Sequence, residues 1–183
     1  MTLKRSAAIS GIAEIRPTKS ADGKTTLGIM ADVSRAAILD AGLTLGDIDG
    51  LLIGPPIVEM TAMWPAILGE YLKIHPKYEN VVDLGGASPA GMVWRAAAAI
   101  QAGMCNAVLC VTAEASDVET FYTPRARKPS AQLPAREFDA PFGPMGVNSG
   151  YALIAQRHMF EYGTTSRQLA KIAADQIAIV RRA

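Results

Sequence analysis

The sequence predicts an α/β fold: a mostly parallel, mixed sheet with helices on both faces, layered α-β-α. Three observations carry that expectation. Short apolar runs of strand length alternate with segments of helical period, in the order β-α-β-α-β-α-β, and such alternation with short links favours parallel strands joined by crossover helices. With 16 Gly and 11 Pro in 183 residues, many short connections between these runs are expected. One helical segment, Pro89 to Ala102, carries only Arg95 and Gln101 as strongly polar side chains. A helix apolar nearly all round belongs between two layers.

In chain order, the β-branched and alanine-rich run Ala7 to Ile15 reads as a first strand, and Arg16 to Lys24, with Pro17, Asp22 and Gly23, as a loop. A helix follows from about Thr26 to Ala41. Leu27, Met30, Ala31, Ser34, Ile38 and Ala41 share one sector of it, and Gly42 stops it. Gly50 to Gly54 is a short buried strand, broken by Pro55-Pro56. The next helix places Met60, Met63, Trp64, Ile67, Leu68, Tyr71 and Leu72 at helical spacing, with Pro65 tolerated in the first turn. The methionines and Trp64 read as packed core.

From Val81 to Ala115 the chain reads strand, tight turn, helix, turn, strand. Gly85-Gly86 turn the chain, Ser88 is the expected N-cap and Pro89 the expected first helical residue. Gly103 ends this helix, and Ala107 to Val111 form the next strand. The N-terminus of such a helix can act on a reacting group through its free donors and dipole.

Ser116 to Pro144 breaks the pattern. Five prolines, four aromatic side chains and the cations Arg125, Arg127, Lys128 and Arg136 make it a long loop, read either as a solvated segment or as a phosphate contact. Helices from Ser149 to Tyr162 and from Arg167 onward, the second capped from Thr164-Thr165-Ser166, complete the chain. The domain expectation is a βαβαβαβ core over 1–115, then a loop subdomain and two helices over 116–183.

Composition narrows the function. A net charge of +1 gives no reason to expect nucleic acid, and no apolar run spans a bilayer. The polar MTLKRS start is unlike a signal peptide, and the cytoplasm is the expected compartment. Cys105 and Cys110 lack CxxC spacing and read as small core residues. His75 and His158 offer no zinc-binding pattern, so no metal is expected.

Taken together, the opening ISGIAE, then AAILDAGLTLGDIDGLLIG, the GGASPAGMVWRAAAAIQAG helix with NAVLCVTAE, and YALIAQRHMFEYGTTSRQLAKIA resemble the thiolase superfamily. The resemblance is to its N-terminal half, in the sterol-carrier-type, acetyl-CoA acetyltransferase-like branch. It implies a five-layer α-β-α-β-α arrangement with the apolar helix in the middle. It also implies an acyl-CoA substrate, coenzyme A present as part of that substrate with no bound cofactor, and a role in lipid metabolism. A homodimer or larger oligomer, with a DUF35-type OB-fold protein as a further partner, completes what it implies.

Counting back from Gly103 puts the family's nucleophilic cysteine at Gly86, which has no side chain. Ser88, two residues on, is the remaining hydroxyl, with no base visible to activate it. Two readings follow. One is an enzyme on acyl-CoA thioesters that makes or breaks C–C bonds, in its cysteine-independent form a retro-aldolase. There the glycine turn binds the thioester carbonyl through backbone N–H groups, and Arg125, Arg127 and Lys128 meet the coenzyme A phosphates. The other is a non-catalytic binding or assembly subunit.

Overall fold

The computed structural model describes residues 7–57, 61–115 and 147–180. The chain forms two compact units, Met1–Ala126 and Arg127–Ala183.

In the first unit, β1 (Gly50–Ile53) is the centre of a three-stranded sheet, flanked by β2 (Tyr78–Val81) and β3 (Val108–Val111) in the order β2-β1-β3. Both pairings are parallel and in register, Leu52 opposite Asn80 on one side and Cys110 on the other. β1 is buried along its whole length, as a strand covered on both faces must be. Helices α1 (Thr26–Asp40) and α2 (Trp64–Leu72) cover one face, and α3 (Ser88–Gln101) covers the other. The strand period of two sorts the side chains. Leu51, Ile53, Leu109 and Val111 meet Met30, Ile38, Trp64, Leu68 and Leu72. Leu52 turns the opposite way, to Val82, Met92 and Ala96. The expected α/β class and α-β-α layering are present, with every strand of the described sheet parallel.

Local chemistry sets the helix limits. The Thr25 hydroxyl caps α1 by accepting the Gly28 N–H at 3.0 Å. Gly42, at φ +68°, lets the Leu43 N–H reach back to Ile38 O at 3.0 Å and closes the same helix. Helix α2 starts with Pro65 in its first turn and ends at Lys73, a left-handed residue whose following N–H, that of Ile74, bonds Gly69 O.

Four expectations are corrected. Ala7 to Ile15 forms no strand; Gly11 comes close against the Ala37 carbonyl, the Ile12 N–H donates to Asp40, and Ile9, Ile12 and Ile15 stay exposed. An apolar run becomes a strand only where a neighbour offers a ladder, and α1 offers none. Met63 is exposed beside the buried Trp64, because it precedes the helix as its N-cap residue. Met60 lies outside the described residues. Among the described residues, helix α3 is covered on one face only, with Trp94 63% exposed on the other. Finally, Ser88 is the first residue of α3 and Ala87 its N-cap.

The second unit contains α4 (Val147–Tyr162) and α5 (Ser166–Val180). Gly163, at φ +68°, ends α4. Thr165 and Gln168 then form a reciprocal cap, the Thr165 N–H donating to Gln168 Oε1 and the Gln168 N–H to the Thr165 hydroxyl. Tyr151, Ile154, Phe160 and Ile172 are exposed along these helices. No helix among the described residues is long and apolar enough to cross a membrane.

Candidate functional site at the carboxyl edge of the sheet

The loop after β1 leads to α2 on one face, and the loop after the adjacent β2 leads to α3 on the other. Neighbouring strands whose carboxyl ends send their chains to opposite faces leave a crevice between those loops. That is the usual ligand position in open α/β sheets. Here that position falls between the loop from Pro55 to Ile57 and the loop from Val82 to Ser88.

The β2 loop is built around one hydroxyl. The Val82 N–H donates to Ile53 O at 2.8 Å and extends the ladder by one bond. The chain then turns through Gly85, whose φ of +57° lies in the left-handed region that favours glycine. The Ser88 hydroxyl accepts the Leu84 N–H at 2.9 Å and donates to Gly85 O at 2.7 Å. Asp83 adds a third tie by accepting the Gly85 N–H at 3.1 Å. Ser88 is 6% exposed, whereas Asp83 to Ala87 on one side and Pro89 and Ala90 on the other are exposed. Both capacities of its hydroxyl are thus occupied, which argues against the nucleophile role considered for it.

Gly86 stands at the apex of this turn. Its φ lies outside the left-handed region, and a Cβ placed there would have no heavy atom within 4 Å. Neither backbone nor packing demands glycine at this position, and the space before it is open.

The third loop of this edge follows β3, where Glu114 accepts the Ile57 N–H at 2.5 Å and so ties the β3 end to the β1 loop. The Ala115 N–H donates to the Thr26 hydroxyl at 3.2 Å. Glu114 escaped the reading of the sequence. Its one signal there is a carboxylate at the end of the apolar run VLCVTA.

The other candidates lie elsewhere. Arg125, Arg127 and Lys128 fall outside the described residues, as do the loop aromatics Phe121 to Phe142. His158, on α4, stacks on Tyr162 with ring centroids 4.7 Å apart and shares a 3.0 Å hydrogen bond with Thr164. Cys105 is buried in the loop before β3, at the amino edge, and burial raises its pKa, helped by the Asp49 carboxylate. Burial pushes the Cys110 thiol up to about 11. Neither is a thiolate at neutral pH, and both are unsuited to nucleophilic attack. Among the described residues, no group of three or more His, Cys, Asp or Glu side chains is placed to hold a metal ion.

An α/β sheet with a glycine turn at its switch point has the usual ligand position of such sheets at this edge. The comparisons with known proteins narrow the class of protein. No family model matches the chain. It is 31% identical over 177 residues to a steroid side-chain-cleaving aldolase of Thermomonospora curvata, covering 93% of this chain and 44% of the relative. It also superposes with a TM-score of 0.68, at 29% identity, on a chain of a solved Ltp2-ChsH2(DUF35) aldolase, over 87% of this chain and 39% of that one. The chain therefore spans less than half the length of the relatives it matches.

These findings correct the resemblance drawn from the sequence. The relatives are named as aldolases, and neither is named as a thiolase or an acetyl-CoA acetyltransferase. The assignment of the chain as a thiolase N-terminal half with its nucleophile replaced is withdrawn, and Gly86 is understood from its own geometry and not as a lost cysteine.

Proposed function

We propose that this chain is part of an aldolase that breaks a carbon–carbon bond by a retro-aldol reaction, with no cysteine nucleophile. Its substrate in this proposal is a lipid-like acyl group carried as a coenzyme A thioester, bound at the crevice around Gly85 to Ser88. The similarity to a side-chain-cleaving aldolase over nearly the whole chain carries the reading; the open space at Gly86 supports its location.

The chemistry accounts for the residue types. In a retro-aldol cleavage a base removes the proton of the β-hydroxyl and the Cα–Cβ bond breaks. The electron pair of that bond passes into the thioester carbonyl, and the enolate is then protonated. What the site must supply is hydrogen-bond donation to the oxygen where negative charge collects. A thiolate has no part in these steps. A glycine amide with nothing in front of it suits the need, because the carbonyl can approach the backbone without meeting a side chain.

In the same proposal Arg125, Arg127 and Lys128 meet the coenzyme A phosphates. A DUF35-type partner assembles with the chain, since the solved relative bears that label, and two or more copies of the chain associate. A second reading, a non-catalytic assembly subunit, is favoured by the exposed apolar face of α3, where Val93 and Trp94 face outward.

The test is to supply β-hydroxyacyl-CoA substrates to the purified chain, with and without a DUF35-type partner, and to follow the products by mass spectrometry. Matched appearance of a carbonyl product and a shortened thioester is the expected result. No cleavage in any combination overturns the enzyme reading and leaves the assembly one.

A further inference from the structure

Ser88, at the start of α3, and the anchoring Val82 are buried on either side of a loop whose residues, Asp83 to Ala87, are exposed. A hydroxyl is ordinarily left to rotate; this one is held from two sides. Its oxygen accepts the Leu84 N–H at 2.9 Å, and its proton goes to the Gly85 carbonyl at 2.7 Å. Two backbone bonds run in parallel with it, Ala87 N–H to Leu84 O at 3.2 Å and Ser88 N–H to Gly85 O at 3.0 Å. The five residues from Leu84 to Ser88 therefore form a closed ring with Gly86 at its outer position.

We infer that Ser88 is a positioning residue. It fixes the direction of the Gly86 peptide toward the crevice and takes no proton in the reaction. This rests on the reading of the glycine turn as the place where the substrate carbonyl binds. The consequence is specific. A donor aimed in advance at the developing charge needs no reorganisation when that charge forms, so loosening the ring should slow the chemical step more than it weakens substrate binding.

The test compares Ser88→Ala, which removes both hydroxyl bonds, with Ser88→Thr, which keeps the hydroxyl. Amide exchange at Leu84 is read in each purified protein, and kcat and KM are read in the assembled aldolase. Ser88→Ala should raise the Leu84 exchange rate about 10-fold or more, a loss of the order expected for one such bond. It should lower kcat about 10-fold with KM changed less than about 3-fold, and the shape of the pH profile should not move. Ser88→Thr should recover both exchange protection and kcat.

Unchanged Leu84 exchange in Ser88→Ala overturns the inference. So does a loss of kcat that arises without any rise in exchange, because Ser88 would then act as a chemical group. Faster exchange with full turnover also overturns the positioning role, while leaving aldolase activity itself intact. If the unaltered protein shows no cleavage, the aldolase reading fails on its own, and threonine-restored Leu84 protection still decides whether the ring is held by the hydroxyl.

Discussion

The two edges of the three-stranded sheet are built on opposite terms. At the amino edge a glycine is demanded by packing. A Cβ on Gly50 would lie 2.8 Å from Val108 Cγ2 and 3.2 Å from Cys105 Sγ, so β1 and β3 are drawn together with no room to spare. At the carboxyl edge Gly86 has open space where its side chain would stand. The same contrast holds for the acids. Asp49 at the amino edge accepts the Asn106 and Ala107 N–H groups at 2.7 and 2.9 Å, the Asn106 side-chain amide at 3.1 Å, and the Lys77 ammonium at 3.5 Å. Its own carbonyl takes the Lys77 and Tyr78 N–H groups, so one residue gathers the starts of β2 and β3 onto β1. The carboxyl edge has Asp83 and Glu114, each tied to a loop amide and not to a strand start. One end gathers the strand starts onto β1, and the other leaves the turn at Gly85-Gly86 open.

The sharpest way to break this contrast is Asp49→Ala. Removing an ionised acceptor leaves the partly buried Ala107 N–H without a partner and frees Asn106, and a loss of about 2 kcal/mol is expected in urea unfolding. The charge matters too. The Ala107 N–H bond, with Asn106 and Lys77, holds the Asp49 pKa below its ordinary value while partial burial opposes it. A depressed folded pKa contributes stability above the unfolded value of about 3.9 that is lost as pH falls through the folded one. Acid unfolding should therefore show a component in that window which Asp49→Asn abolishes.

Gly50→Ala comes next. The new methyl must push Val108 and Cys105 aside, at a cost of about 2 kcal/mol typical of overpacking, with little effect at the distant carboxyl edge. Gly85→Ala should cost about 1–2 kcal/mol, because an L side chain is forced into the left-handed region. Gly86→Ala inverts the pattern. Stability should stay level or rise by about 0.4–1 kcal/mol, since the unfolded chain loses freedom and the folded one meets no obstacle. Under the proposed function, cleavage by the assembled aldolase should nevertheless fall at least about 10-fold. A Gly86→Ala protein that is destabilised, or as active as the parent, would end the argument that this edge is open for a ligand. The smallest effect is expected at Cys110. With its thiol pushed up to about 11, alkylation should stay slow through pH 9 and rise only above it.

Much of the fold was legible because it is local. The 3.6-residue period set out α1 and α2, glycines at positive φ closed α1 and α3 where expected, and apolar runs of four or five residues became β1 and β3. The candidate turn was legible for a similar reason, since Gly85-Gly86 between an apolar run and a helical period marks a tight turn. What misled was a residue with two good uses. Ser88 has the chemistry of an N-cap, yet its hydroxyl reaches back into the turn, and Ala87 takes the cap position with no side-chain bond at all. Nothing along the chain ranks those two hydrogen bonds against each other. Ala7 to Ile15 has strand composition, but a ladder needs a second backbone, and only the folded arrangement says whether one lies alongside.

The sequence by itself determined the α/β class, the order of the helices and strands from Thr26 to Val111, and the absence of a side chain at Gly86, because periodicity, turn chemistry and residue identity act over a few residues. Only the tertiary structure decided that β1 lies between β2 and β3, that α2 and α3 cross to opposite faces, and that Gly86 looks into open space while Gly50 does not. Those are relations between backbones 28 to 58 residues apart in the chain, as in Gly50 beside Tyr78 and Val108, and Asn106 held by Asp49. They are set by how apolar faces are shared in the finished core.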